Sequence, residues 1–174
     1  MNPFLSSSRL IIQKPIFDDF ADLYHLQTTP EVMAFVGNGV REKNEVRVGL
    51  EKAIRHYEKH QFSLGSVYLK DSQRFIGRAG LIYLNYDDQQ PHVELAYALL
   101  PEFWGKGYAT ELAKSLVIWG FAHLSIQKLI AVVHPENKLS QNVLEKSGMS
   151  KTGLINYGNK QLVSYEILNQ QNCA

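Results

Sequence analysis

A chain of 174 residues, 45% hydrophobic and 20% charged, has the make-up of one globular domain with a full core, which excludes a disordered or fibrous protein. Eighteen Lys and Arg against 17 Asp and Glu leave a formal net charge of +1, too balanced for a protein held to nucleic acid mainly by phosphate neutralisation. The one cysteine, Cys173, excludes an intramolecular disulfide and fits a reducing compartment.

The first residues, MNPFLSSSRLIIQK, lack a basic segment followed by a long apolar run, so no signal peptide is expected. The longest apolar runs, such as 129–133, fall far short of the roughly 20 residues of a membrane helix. The expectation is a cytoplasmic protein, monomer or homodimer, without membrane or nucleic-acid partners.

In chain order, 8–14 (SRLIIQK) reads as a first strand, and 17–26 places Phe20, Leu23 and Tyr24 on one helical face. Thr29-Pro30-Glu31 reads as an N-cap with proline at the first helical position. Val46, Leu50, Ala53, Ile54 and Tyr57 recur at the spacing of an amphipathic helix over 43–60. The period then falls to two. Residues 62–69 and 74–84 read as a hairpin joined at Asp71-Ser72-Gln73, 85–91 as a polar loop, and 92–100 as a strand stopped by Pro101. A helix over 109–124 precedes an apolar strand at 128–134, of the kind buried on both faces. A helix at 139–146 ends at Gly148, and strands at 149–155 and 161–168 follow. This order predicts an α/β (α+β) single domain over 8–168, one mixed sheet of six to seven strands flanked by helices, with short termini at 1–7 and 169–174.

The segment richest in chemistry is 94–111, ELAYALLPEFWGKGYATE. A strand runs through a proline-bounded turn into Trp104-Gly105-Lys106-Gly107-Tyr108-Ala109 and straight into a helix. Two glycines leave backbone amides uncovered, and the helix adds its unpaired first-turn N–H groups and the positive end of its dipole. Together they form a cradle for a pyrophosphate, with Lys106 at its rim. The segment is neither a dinucleotide-fold fingerprint nor a P-loop.

Residues 104–109 resemble the Q/R/W-x-x-G-x-G/A acetyl-CoA signature of the GNAT superfamily of N-acetyltransferases. The preceding strand and turn are similar to the subgroup that acetylates ribosomal-protein N-termini. A second match runs through Asn137, Ser140, Val143, Leu144, Glu145, Lys146, Gly148 and Met149, resembling the family's N-x-x-S/A-x-x-V/L-x-E-K-x-G-F/M motif. The resemblance implies a sheet splayed in the middle, between the strand ending at Leu100 and that at 128–134. It implies acetyl-CoA as donor and CoA as product, with the pantetheine arm on backbone groups of Tyr97, Ala98, Leu99 and Leu100. Trp104, Gly105, Lys106, Gly107, Tyr108, Ala109 and Thr110 would surround the pyrophosphate, and Asn137 and Ser140 would flank the cofactor. Asn137 could equally be only the cap of the helix it precedes.

Acetyl transfer needs a neutral amine, a donor to the oxyanion and a way for sulfur to leave. Strand alternation puts His92, Glu94 and Ala96 on one face, opposite Val93, Leu95 and Tyr97. Glu94 is the expected base, acting through water, with His92 as the alternative. The Leu99 N–H is the candidate oxyanion donor. Many relatives carry a tyrosine acid where this chain has Leu144, so Ser140 is the expected substitute.

No metal site is assigned. His56 and His60 are one helical turn apart, but no Cys or HExxH context accompanies them. The acceptor expected is a protein or peptide N-terminal amine. A small amine, or a silent acyl-CoA-binding module, remains the alternative. The acceptor pocket falls to the variable loops 28–41, 84–92 and 153–160.

Overall fold

A computed structural model describes residues 3–157 and 160–169. Cys173 and the 158–159 tip of the third acceptor loop lie outside the described residues. The described chain forms one mixed sheet of eight strands in the order β1-β2-β3-β4-β5-β6-β8-β7. The strands are β1 (Pro3–Ser6), β2 (Leu10–Gln13), β3 (Leu64–Leu69), β4 (Phe75–Tyr83), β5 (Val93–Leu99), β6 (Lys128–Val133), β7 (Ser150–Tyr157) and β8 (Lys160–Leu168). The helices are α1 (Phe20–Thr28), α2 (Pro30–Met33), α3 (Lys43–His60), α4 (Tyr108–His123) and α5 (Lys138–Lys146). Among the described residues no helix is long and apolar enough to cross a membrane.

The count of eight corrects the expected six to seven. The extra strand, β1, lies in the segment 1–7 assigned to a short terminus. It pairs antiparallel with β2, Leu5 is buried, and the Phe4 ring packs 4.6 Å from Trp119 of α4. The apolar side chains of a four-residue strand are worth more in the core than the serines around them cost in propensity.

Helix α3 buries Val46, Leu50, Ala53 and His56 along one stripe. Its start is fixed by the Glu45 carboxylate accepting from the Glu42 N–H at 2.8 Å, and its end by Gln61 in left-handed conformation. Helix α4 turns Leu112, Ala113, Leu116, Val117 and Gly120 inward. A Cβ on Gly120 would stand 2.9 Å from Leu81 and 3.2 Å from Leu129, so α4 packs close to the face of the sheet shared by Leu81, Leu95 and Leu129.

The centre of the sheet positions the site. Strand β5 pairs antiparallel with β4 over its whole length, from Val93 opposite Tyr83 to Leu99 opposite Gly77. It pairs parallel with β6 only at Val93–Leu129 and Glu94–Ile130. Beyond Glu94 the two strands part, giving the expected splay.

Candidate active site

The alternation of an antiparallel ladder decides what β5 presents to the splay. Leu84 N–H donates to the His92 carbonyl, and Leu100 N–H donates to the Ile76 carbonyl, both at 2.9 Å. The register between them has no bulge, so Glu94, Ala96 and Ala98 turn their backbone groups to β4. Tyr97 and Leu99 turn theirs to the splay. Trp104 seals the end of this row, its Nε1–H donating to the Leu99 carbonyl at 2.7 Å, which leaves the Leu99 N–H facing the gap.

The strand continues through a single 3-10 turn at Pro101–Phe103 into the glycine loop. Gly105 and Gly107 have φ of 72° and 79°, a left-handed conformation that glycine adopts without steric cost. Gly107 is the N-cap of α4, so the amides of the helix's first turn have no acceptor within the helix. A cavity of about 450 Å³ opens against this loop, within the range of small-molecule sites. One wall holds Trp104, Gly105, Gly107, Tyr108, Ala109 and Thr110; another holds Tyr97, Ala98 and Leu99 of β5. Asn137, Ser140 and Val143 close it from the side of α5, and α2 and the residues after it contribute Glu31, Val32, Phe35 and Val36.

Leu100 and Lys106 are the expected cofactor residues that the cavity wall omits. Leu100 is buried and its N–H is spent on Ile76. Lys106 is exposed, with its ammonium 5.6 Å from the Phe103 ring centroid. Asn137 does cap α5, its side chain accepting from the Ser140 N–H at 3.0 Å, and it lines the cavity as well.

The hydroxyls of Tyr97 and Ser140 meet at 2.8 Å across the cavity. Burial pushes the Tyr97 phenol up to about 12, the bond to Ser140 pulling the other way, so Tyr97 stays protonated at neutral pH. Leu144 is buried at 2% exposure and is absent from the cavity wall, to which α5 contributes Leu139, Ser140, Asn142, Val143 and Lys146. The tyrosine hydroxyl was not anticipated. Its signal was parity: Tyr97 shares a strand face with Leu95 and Leu99.

Glu94 is buried at the last rung shared by β5 and β6, the vertex of the splay, outside the cavity wall. Its side chain lies on the opposite face of β5 from Tyr97. Tyr86 shares Glu94's surroundings: burial pushes that phenol up, the Arg78 charge pulls it down and Glu94 pushes it up again. Asn85 and Tyr86, in the 84–92 loop, are both left-handed, at φ of 61° and 59°, strain of the kind that gathers at functional sites. His92 is exposed beside this loop.

His56 is tied at both nitrogens, Nδ1 to the Phe62 carbonyl at 2.7 Å and Nε2 to the Tyr83 N–H at 3.2 Å. His60 Nε2 stands 2.9 Å from Asp88. No group of three or more potential ligands gathers around a metal position among the described residues.

The family model described as the acetyltransferase (GNAT) domain matches residues 9–150. The chain belongs to the GNAT acetyltransferase family. The uncharacterized N-acetyltransferase YoaA of Bacillus subtilis (strain 168) is 27% identical over 157 residues, 89% of this chain and 87% of its own. The spermidine N(1)-acetyltransferase of Escherichia coli (strain K12) is 30% identical over 103 residues, 56% of this chain and 52% of its own. The crystal structure of a GNAT-family acetyltransferase from Bacillus anthracis matches with a TM-score of 0.79 at 26% identity, covering 94% of this chain and 97% of that one. As a GNAT protein the chain is an acetyl-CoA-dependent N-acetyltransferase.

Proposed function

We propose that this enzyme moves the acetyl group of acetyl-CoA directly to a protein or peptide N-terminal amine, with donor and acceptor bound together. The observation that carries the reading is one continuous cavity joining the left-handed glycine loop to the Tyr97–Ser140 hydroxyl pair. The amides of 105–110 hold the pyrophosphate, aided by the positive end of α4. The free backbone groups of Tyr97 pair with the pantetheine arm, and Asn137 and Ser140 flank it.

When bound, acetyl-CoA supplies a thioester carbonyl open to an amine. The Leu99 N–H donates to the carbonyl oxygen as charge develops there. Glu94, at the vertex of the splay, takes through water the proton that the acceptor ammonium loses before it attacks. Ser140 gives a proton to sulfur as the C–S bond breaks, Tyr97, hydrogen-bonded to it, restores that proton, and the proton that nitrogen sheds as the amide forms returns to Tyr97. Acid and base therefore flank β5 from opposite sides. The proposed setting is the cytoplasm, consistent with a single cysteine.

The half-exposed rim at Phe35 and Val36 suits an extended polypeptide end, in keeping with the subgroup to which the strand and turn before Trp104 are similar. The similarity to a spermidine acetyltransferase favours a second reading, a small polyamine met at the rim by Glu31. Acetyl-CoA offered to a panel of peptides and to spermidine, read by free-thiol release, separates them. A higher kcat/KM for peptides supports the first reading and a higher value for spermidine the second. CoA binding without turnover of any amine indicates a silent binding module.

A further inference from the structure

Arg9 lies in the turn between β1 and β2, yet it is bonded to the far end of the phosphate loop. Its backbone N–H and its Nε each donate to the Glu111 carboxylate at 2.7 Å, and the Ser7 hydroxyl donates to the same carboxylate at 2.7 Å. Its Nη1 donates to the Lys106 carbonyl at 3.1 Å, and the guanidinium lies over the Tyr108 ring, 4.4 Å from the centroid. One side chain thus holds Lys106, Tyr108 and Glu111, on both sides of the left-handed Gly107.

Two consequences follow from elementary geometry and charge. In a trans peptide the C=O and N–H point in opposite directions. Holding the Lys106 carbonyl toward Arg9 therefore turns the Gly107 N–H the other way, to the side of the cavity that Gly107 lines. Glu111 sits in the first turn of α4, where a carboxylate suits the helix dipole but repels an anion arriving at the same end. Burial pulls the Glu111 carboxyl up, but Ser7 and Arg9 together outweigh it and hold it below its ordinary value. The carboxylate is thus charged, and Arg9 is the cation that offsets it.

We infer that Arg9 is a positioning residue for donor binding, aiming the Gly107 amide at the pyrophosphate and screening Glu111 from it. Its action is on the phosphates and not on acetyl transfer. The inference rests on the proposed use of the 105–110 loop.

The test pairs calorimetry of CoA with kinetics on two donors, acetyl-CoA and S-acetylpantetheine, which lacks the pyrophosphate. Arg9→Ala weakens CoA binding about tenfold, and Arg9→Lys recovers part of the loss, since an ammonium replaces the charge but not the fork. The loss in kcat/KM with acetyl-CoA exceeds that with S-acetylpantetheine. Wild-type CoA affinity in a folded Arg9→Ala overturns the inference. So does an equal loss with both donors, because Arg9 would then merely tie β1 to α4. If Arg9→Ala does not fold, Arg9→Lys carries the test: a raised Kd supports the role and a wild-type Kd overturns it. A wild-type protein that binds no CoA would instead refute the reading of the loop.

Discussion

At Gly107 a side chain has room, since the nearest atom to an added Cβ is Arg9 Nη2 at 3.5 Å, but no licence, since φ is 79°. Gly107→Val adds a β-branched residue to a left-handed position and covers the amides beside it. CoA affinity should fall at least tenfold by calorimetry while the far-ultraviolet spectrum stays native; an unchanged Kd refutes the cradle. Glu94→Gln should lower kcat about tenfold at neutral pH, because about a tenth of an α-amine is already neutral there. That loss should shrink toward the pKa of an α-amine, about 8, where the acceptor arrives neutral unaided. A defect that ignores pH would assign Glu94 to structure. His56 sets a different dependence. Burial pulls it below the ordinary 6.5, the bond to Phe62 opposing, so the unfolded chain takes up the proton more readily. Its contribution is complete above about 6.5 and is lost as pH falls below that value. Asp88, held down to about 2 by Lys59 and then Gln89, stays ionised throughout that window. Urea midpoints should drop between pH 7 and pH 5, and His56→Gln should flatten the drop.

Strand β1 is the element whose energetics the sequence hid. Leu5 is 6% exposed, so Leu5→Ala should cost about 2–4 kcal/mol in urea denaturation; a cost below about 0.5 kcal/mol, typical of a surface site, would make β1 a decoration. Only four residues long, ending at Ser6 and followed by Ser7 and Ser8, it offers too few alternations to rise above a coil. Helix α3 was legible to its ends because five apolar positions repeat along it and lysine and histidine fill its last turn. The glycine loop was legible because it is contiguous, strand, turn and helix in one run of residues. The Tyr97–Ser140 bond joins positions 43 apart and the Arg9–Glu111 pair positions 102 apart. No local period encodes such meetings. They exist because the sheet brings β1, β5 and two helix N-termini to one end of the molecule.

On the scale of the whole protein, β1 to β5 form one sheet half and β6, β8 and β7 the other, joined in hydrogen bonding by two rungs at Val93 and Glu94. A join that short lets each half open on its own at lower free energy than the whole chain unfolds. Native-state hydrogen exchange should therefore resolve two cooperative units, with the amides of Tyr97 and Leu99 exchanging well ahead of Ala96 and Ala98, which are committed to β4. A ligand lying in the gap would give the orphaned row of β5 its missing partner and couple the two units into one. Exchange at Tyr97 and Leu99 should then slow on addition of CoA more than the gain in global stability explains, and uniform slowing across the sheet would show that the halves already behave as a single body. The gap between β5 and β6 is an unfinished sheet that a substrate lying along β5 would complete.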